Sequence, residues 1–346
     1  MPDAAKLLFG GSAGVCALLR DAELYARTSY PILILGEPGV GKTAIAKWIH
    51  VRSGRRAEGF VKQAASWIPE HLEVAHLAGH AKGAFTGAHE ARPGLIESAH
   101  QGTFFLDELG LASVTVQQLL LQLLEDRTIR RMGEVRDRPV DVRFLAATNA
   151  DLGDLVAQAC FRADLLHRFG HLVLRVPRLA DRQDEILPLA AVFLEREADA
   201  LDLAASPRLS DTVRDWLMAA PWPGNIRELE AVCRYAVLHA PAGGVIELCD
   251  LPGDFVVGQG ALDRARYDRA QLERARDAIR RAGGNKAEAA RLLGCSRQQL
   301  YRMLGSIASA IILLAAAGRP LVSSHLSHRT HRPAIARQTT RLRQVG

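Results

Sequence analysis

A glycine-rich loop near the start of the chain has the composition of a phosphate-binding site. The stretch GEPGVGKT matches the G-x-x-x-x-G-K-[ST] pattern and lies between an apolar run and a helix-like segment. Its glycines permit a turn that points backbone N–H groups at phosphates, and the following helix adds its positive end. We expect Lys42 to reach the β- and γ-phosphates and the Thr43 hydroxyl to ligate Mg²⁺. The residues predicted to bind ATP here are Gly36, Glu37, Pro38, Gly39, Val40, Gly41, Lys42 and Thr43.

Two adjacent acids end the apolar run FFLDE. Asp107 stands where a carboxylate can hold Mg²⁺ through water, and Glu108 can polarise an attacking water molecule. We predict that both are catalytic and that Asp107, with Thr43, is also metal-binding. Taken alone, the pair is equally compatible with an acidic strand end that faces solvent. The next apolar run ends in AATN, where Thr148 and Asn149 are candidates either for sensing the γ-phosphate or for a turn.

Short apolar runs that alternate with helix-like segments must position these residues. Such alternation indicates an α/β fold, a parallel sheet covered by helices on both faces. Ligands bind at the carboxyl ends of the strands in such sheets, which is where the polar residues stand. The predicted strands are 31–36, 59–65, 102–108, 142–149 and 171–176, and one predicted helix is 116–126.

The pattern becomes wholly helical after Val176. Three helices are predicted, over 182–201, 209–220 and 225–240, and together they indicate a small helical subdomain. Asn225 followed by Glu228 three residues on is typical of a capping box, so Asn225 is predicted to cap the third helix.

Residues 283–304 independently predict a helix-turn-helix. Asn285 with Glu288 and Ser296 with Gln299 form two capping patterns, and Gly294 ends the first helix. Arginine and glutamine suit bidentate contacts with guanine and adenine edges. A plain helical hairpin used for packing is the alternative. The residues predicted to contact double-stranded DNA are Ser296, Arg297, Gln298, Gln299, Tyr301 and Arg302.

Length and composition agree with a protein of two or three domains. The chain has 346 residues, of which 48% are hydrophobic and 24% charged. Its five scattered cysteines include no C-x-x-C pair, which argues against a disulfide framework or zinc site and fits a reducing cytosol. We therefore expect a cytoplasmic, nucleoid-associated protein with no membrane contact. The net charge of +6 is concentrated toward the C-terminal end of the sequence. This end could be a solvated basic segment or a surface that binds nucleic acid, and charge alone does not decide between them.

The stretch GAFTGA is unusual because one large side chain, Phe85, is flanked by small residues that form poor helices and strands. Together with other stretches in the same order, it resembles the central domain of bacterial enhancer-binding proteins. These are AAA+ ATPases that activate sigma-54 RNA polymerase. The resemblance covers residues 8–304 and rests on GTFFLDELG, VRFLAATNADL, FRADLLHRF, LRVPRLADR and WPGNIRELE.

This resemblance implies a domain order and several roles. Arg162 and Arg168 match the family's arginine fingers, which act from a neighbouring subunit, and Arg227 matches the sensor arginine of the lid. The implied sigma-54 contact consists of Gly83, Ala84, Phe85, Thr86, Gly87 and Ala88. The implied domains are an AAA+ α/β subdomain at 1–176, a helical lid at 177–252, a linker at 253–262 and a Fis-type all-α helix-turn-helix domain at 263–304. A basic tail at 305–346 lies outside the resemblance and is expected to be disordered.

One strand departs from the family pattern. The family has F-x-x-x-N-C here, and its asparagine holds the catalytic glutamate until the target engages. This chain reads FVKQAAS, so Ala64 replaces the asparagine, and Gln63 and Ser66 are the candidates to substitute for it.

The resemblance implies an activator that binds upstream DNA, assembles into a homo-oligomeric ring, expected to be a hexamer, and uses ATP and Mg²⁺ to convert sigma-54 RNA polymerase closed complexes into open ones. The chain leaves no room for a receiver or ligand-sensing domain before the ATPase. We therefore expect control by a regulatory protein in trans, by expression level or by loss of a domain. Two alternatives are an ATP- and DNA-binding protein defective in remodelling and an AAA+ remodeller of another protein.

Overall fold

A computed structural model describes residues 12–55, 58–170, 172–240, 244–253 and 261–293, together with 255, 297, 300, 301, 303 and 304. At its centre is a five-stranded sheet with the order β2-β5-β8-β1-β9, in which every neighbouring pair is parallel. This confirms the predicted α/β fold. The five strands are β1 (Ile32–Leu35), β2 (Phe60–Ala64), β5 (Thr103–Asp107), β8 (Arg143–Thr148) and β9 (Val173–Arg175).

The inner strands β1, β5 and β8 read as largely apolar runs because both faces of the sheet are buried there, whereas the edge strand β2 is only partly buried. Successive side chains of β5 point to opposite faces: Phe104 and Leu106 join one core, and Phe105 joins the other. All six residues of β8 are buried. The helices around the sheet are α1 (Ala13–Ala26), α2 (Lys42–Arg52), α3 (Glu73–Leu77), α4 (Leu95–Ser98), α5 (Val114–Asp126), α6 (Leu152–Ala157) and α7 (Ala163–Arg168).

Two small antiparallel hairpins, which the apolar pattern did not predict, extend from this domain. Strand β3 (Gly79–His80) pairs with β4 (Arg92–Pro93), and β6 (Thr128–Ile129) pairs with β7 (Arg138–Pro139). Each strand has only two residues, which is too short for a hydrophobic alternation to be visible in the sequence.

The lid consists of the three predicted helices with slightly shorter limits, α8 (Ile186–Ala200), α9 (Asp211–Ala219) and α10 (Asn225–His239). A parallel pair, β10 (Arg208–Leu209) and β11 (Val245–Ile246), closes it. Its separate core is centred on Trp222, which is buried and packs edge-on against Trp216.

The predicted cap of α10 is wrong. Gly224 is the N-cap residue, and its N–H donates to Glu228 Oε2 at 2.7 Å. Asn225 is instead fully buried with a left-handed backbone, φ 54°, and its side chain points away from the helix end. The sequence pattern identified the right glutamate but placed the N-cap one residue too late, at Asn225 instead of Gly224.

In the described part of the C-terminal unit lie the helices α11 (Ala261–Arg281) and α12 (Lys286–Leu292). Asn285 caps α12 as predicted, accepting from the N–H groups of Ala287 and Glu288. The predicted DNA-contacting residues Ser296, Gln298, Gln299 and Arg302 lie outside the described residues, as does the predicted tail, 305–346. None of the helices in the described ranges has the length and apolar character needed to span a bilayer.

Candidate nucleotide site and contact loop

The predicted phosphate loop joins β1 to α2. Lys42 begins α2, and its ammonium donates to the carbonyls of Gly36 and Glu37 at 2.8 and 2.9 Å. Burial lowers the pKa of Lys42, and the nearby Asp107 carboxylate opposes that shift. Gly39 has φ 80°, and a Cβ there would lie 2.2 Å from the carbonyl oxygen of Gly224, so only glycine fits. The loop is thus in direct backbone contact with the lid.

The acidic pair lies across from the start of α2. Asp107 Oδ2 is 3.4 Å from the Thr43 hydroxyl, so the two predicted magnesium ligands are adjacent. The Lys62 ammonium, from β2, lies 3.0 Å from Asp107 Oδ2 and 2.9 Å from Thr43 Oγ1. Nothing in the sequence pattern pointed to Lys62, although its place in the edge strand beside β5 puts it within reach.

Glu108 directly follows β5 with a left-handed backbone, φ 57°, and its N–H donates to Asp107 Oδ1 at 3.1 Å. The Ser66 hydroxyl donates to Glu108 Oε2. Of the two candidates to replace the missing asparagine, Ser66 therefore contacts the glutamate. Gln63 does not, because its amide donates to the Ala64 carbonyl and its Oε1 contacts His76.

A cavity of about 820 Å³ opens between the phosphate loop and the lid. Asn149 is exposed on its wall, whereas Thr148 is buried and its hydroxyl accepts from the Ala150 N–H. Arg227 lines the cavity from α10, and its charge acts on Lys42. The cavity therefore brings together groups from the phosphate loop, the acidic strand end, the strand end of β8 and the lid.

Buried polar contacts hold the lid against the phosphate loop. Asn225 Oδ1 accepts from the Leu179 N–H at 2.8 Å, and its amide donates to the Pro38 carbonyl and to Glu37 Oε2, both at 3.1 Å. Beside it, the buried Arg182 donates to the Val40 carbonyl at 2.9 Å. Sequence reasoning missed both roles, since each depends on which lid residue meets the loop.

The GAFTGA stretch forms a loop whose base is the β3–β4 hairpin. The backbone segments at this base lie so close together that a Cβ at Gly94 would be 2.3 Å from the backbone nitrogen of Gly79. Within the loop, the Gly83 N–H donates to the Ala88 carbonyl at 2.8 Å. Phe85 is half-buried and packs edge-on against His80 at 5.0 Å, while Thr86 is exposed. The loop that carries Phe85 is thus closed by a backbone hydrogen bond, and the Phe85 ring packs against the hairpin at the base of the loop.

The two predicted arginine fingers lie at the two ends of α7, away from the cavity: Arg162 is its N-cap residue and Arg168 is its last residue. Arg162 makes a two-pronged ion pair with Asp164 at 2.6–3.0 Å, and Arg168 pairs with Glu125. Both guanidinium groups are exposed, and neither residue is on the cavity wall of this chain. In the C-terminal unit, Arg297 is exposed, and Tyr301 lies 5.1 Å beneath the Lys286 ammonium with about half its surface free.

A phosphate loop after the first strand of a parallel sheet, in contact with a helical lid, places the protein among the AAA+ P-loop ATPases. Comparison with family models narrows this class. Residues 8–175 match the sigma-54 interaction domain, 180–266 match an AAA+ ATPase lid domain, and 269–305 match the bacterial regulatory proteins of the Fis family. The chain belongs to the family of sigma-54-dependent transcriptional regulators.

Individual relatives agree with this assignment. The chain is 38% identical over 323 residues to the nitric oxide reductase transcription regulator NorR2 of Cupriavidus necator, covering 86% of this chain and 62% of that protein. It is 36% identical over 310 residues to the transcriptional regulatory protein ZraR of Klebsiella oxytoca, covering 88% and 69%. The chain thus spans less than two thirds of the NorR2 length.

Solved structures of NtrX from Brucella abortus have the same fold. The complex of that protein with ATP is 29% identical and superposes with a TM-score of 0.65, covering 86% of this chain and 68% of the other. Its complex with ADP gives the same TM-score at 28% identity. These matches, with the family model, confirm the predicted ATPase class.

The Asn225 contacts give a testable prediction about the lid. Replacing Asn225 by Ala removes three hydrogen bonds. It also puts alanine, which has no polar side chain to stabilise it, in a left-handed backbone conformation. We therefore expect a loss of about 2–4 kcal/mol in the free energy of unfolding. Asn225→Gly removes the same hydrogen bonds but tolerates the backbone, and we expect it to lose about 1 kcal/mol less. Chemical denaturation of both variants measures the difference; equal values would show that backbone strain plays no part.

Proposed function

We propose that the protein is an ATP-driven activator that binds upstream DNA, assembles into a ring and remodels sigma-54 RNA polymerase closed complexes into open complexes. The observation that carries the proposal is the contact loop, residues 83–88, which exposes Thr86 on a hairpin of the ATPase domain itself. The segment between β2 and β3 connects this hairpin to Ser66, which contacts Glu108. One short stretch of chain therefore leads from the acidic pair to the surface that we propose contacts sigma-54.

The site has the groups that ATP hydrolysis needs. Backbone N–H groups of the loop and the Lys42 ammonium orient the phosphates once Lys42 leaves the carbonyls of Gly36 and Glu37. The Thr43 hydroxyl and the Asp107 carboxylate are hard oxygen donors 3.4 Å apart, which fits Mg²⁺. When bound, this ion neutralises charge on the phosphate oxygens. Glu108, one residue beyond, polarises the attacking water.

Arginine fingers from a neighbouring subunit complete the site. Arg162, the N-cap residue of α7, and Arg168, its last residue, both lie off the cavity of their own chain, which supports a role at a neighbour's site. Their ion pairs with Asp164 and Glu125 are exposed and therefore weak, so a phosphate can replace these carboxylates at little cost. Arg227 from the lid contributes charge on the opposite side of the cavity.

The C-terminal unit is proposed to bind double-stranded DNA as a dimer across two half-sites. The match of residues 269–305 to the Fis family supports this, as does the exposed Arg297 at the start of the proposed recognition helix. DNA binding places several ATPase domains near one another, which favours ring assembly.

Open-complex formation by purified protein, sigma-54 holoenzyme and ATP tests the main proposal. We expect the wild type to form open complexes. Thr86→Ala should lose open-complex formation while still hydrolysing ATP. Glu108→Ala should bind ATP but hydrolyse it at least about 100-fold more slowly. His89→Ala, an exposed residue just beyond the loop, is the matched control and should behave as wild type.

Failure in this assay would identify the alternative. A wild type that is oligomeric and ATP-bound but forms no open complex contradicts the proposal. Undetectable hydrolysis at every protein concentration would instead indicate an ATP- and DNA-binding protein defective in remodelling. Hydrolysis without binding to sigma-54, tested with a transition-state analogue, would indicate another protein target.

Mixed oligomers test whether the fingers act in trans. Glu108→Gln and Arg162→Ala should each be inactive alone, because every site lacks one group. In a random 1:1 mixture, about one interface in four combines an intact Glu108 with an intact Arg162, so about a quarter of wild-type hydrolysis should return. The same mixture with Arg168→Ala tests the second finger, and an absence of recovery in both mixtures argues for a role in cis.

The Ser66 contact predicts a change in regulation. If Ser66 restrains Glu108, Ser66→Ala should raise hydrolysis without polymerase about three- to tenfold, equivalent to one hydrogen bond, and should reduce stimulation by polymerase. Gln63→Ala is the matched control, since that side chain contacts Ala64 and His76 and is expected to leave both rates unchanged. Lower basal hydrolysis in Ser66→Ala would mean that Ser66 positions Glu108 for catalysis.

A further inference from the structure

We propose that Lys62 is a tethered cation that competes with Mg²⁺ for the magnesium position and has to be displaced when Mg²⁺ binds with the nucleotide. This inference rests on the proposed function of the site. Three distances carry it: Lys62 Nζ is 3.0 Å from Asp107 Oδ2, 2.9 Å from Thr43 Oγ1, and these two oxygens are 3.4 Å apart. The ammonium thus bridges the same two oxygen atoms that the ATPase chemistry assigns to the metal.

The fold explains how a lysine from another strand reaches this position. β2 is the edge strand beside β5, and Lys62 is in register with Phe105, two positions before the pair Ala64 and Asp107. The ammonium lies 5.7 Å from the centre of the Phe105 ring, so its stem crosses that ring toward the strand end. Ala64 leaves this route open because it adds only a methyl group beside Asp107.

The two cations exclude each other. The Thr43 hydroxyl donates toward Asp107 and accepts from Lys62, so Lys62 takes an oxygen lone pair that a metal would need. Mg²⁺ requires oxygen ligands at about 2.0–2.1 Å, whereas the ammonium lies near 3 Å from both oxygens. While Lys62 fills this space, Thr43 cannot bind the ion directly and Asp107 cannot hold it through a water. A divalent ion at this position would also be repelled by an ammonium in direct contact with its ligands.

Displacement requires no unfolding. The Lys62 side chain is 41% exposed, against 19% for Asp107, so its tip can turn into the solvent while β2 stays paired with β5. Until then the Lys62 ammonium contacts Asp107 directly and, with the nearby Lys42, balances the negative charge of Asp107 and Glu108. Mg²⁺ binding is therefore linked to a side-chain movement in β2, the strand that leads to Ser66.

The linkage can be measured without hydrolysis. A fluorescent ADP analogue is titrated into the full chain in EDTA and again in saturating Mg²⁺. The dissociation constant in EDTA divided by that in Mg²⁺ is a ratio that reports how strongly the metal assists binding. Lys62→Met should raise this ratio about three- to fivefold, the range for one partly exposed ion pair. Lys62→Arg keeps the cation and can grip Asp107 with two N–H groups, so its ratio should equal or fall below that of wild type.

Lys47→Met is the matched control, because Lys47 is an exposed lysine on the wall of the same cavity, and its ratio should stay within about twofold of wild type. Binding of Mn²⁺ with ADP, followed by electron paramagnetic resonance, gives a direct second readout and should tighten in Lys62→Met. If Lys62→Met raises both dissociation constants by the same factor, or if its ratio matches that of Lys47→Met, the inference is overturned. A wild type that binds no ADP analogue would instead overturn the proposed ATP site.

Discussion

The parallel pairing of β5, β8 and β1 is the constraint on which the whole site depends. It brings the end of β5, with Asp107 and Glu108, and the end of β8, with Asn149, to the same edge as the phosphate loop after β1. A shift of one residue in β5 would turn Asp107 to the opposite face and exchange the positions of Phe104 and Phe105 in two separate cores. The hydrophobic packing of the sheet therefore also fixes the geometry of the proposed site.

The lid adds a second constraint, because it contacts the phosphate loop by backbone and not by side chains alone. The Ile226 N–H donates to the Gly39 carbonyl at 3.0 Å, and Asn225 bonds to Pro38 and Glu37. The phosphate loop is thus joined directly to α10, which also carries Arg227. The buried Arg182, paired with Glu185, joins the same loop to the start of the lid.

The strands, the lid helices and the phosphate loop could be predicted from the sequence because each has a local signal: apolar runs, helical periodicity, or glycines at fixed spacing. Lys62, Asn225 and Arg182 could not, because their roles come from contacts between segments far apart in the chain. Lys62 bonds to Thr43 and Asp107 only because β2 is the edge strand next to β5. The capping pattern at Asn225 was misread because a buried, left-handed asparagine and an N-cap asparagine have the same sequence signature.

The edge strand explains how the chain can lack the family's asparagine and still keep a contact to Glu108. Ala64 is in register with Asp107, and the chain then leaves the strand in a short 3-10 turn, Ala65–Trp67, that presents the Ser66 hydroxyl to the carboxylate. The contact has moved by two residues, from the strand to the turn that follows it. A turn has fewer backbone bonds to the sheet than a strand has, so a restraint placed there can be released with less disturbance of β5. The same segment continues into α3 and the contact hairpin, so in the proposed function the release of Glu108 and the movement of residues 83–88 share one path along the chain.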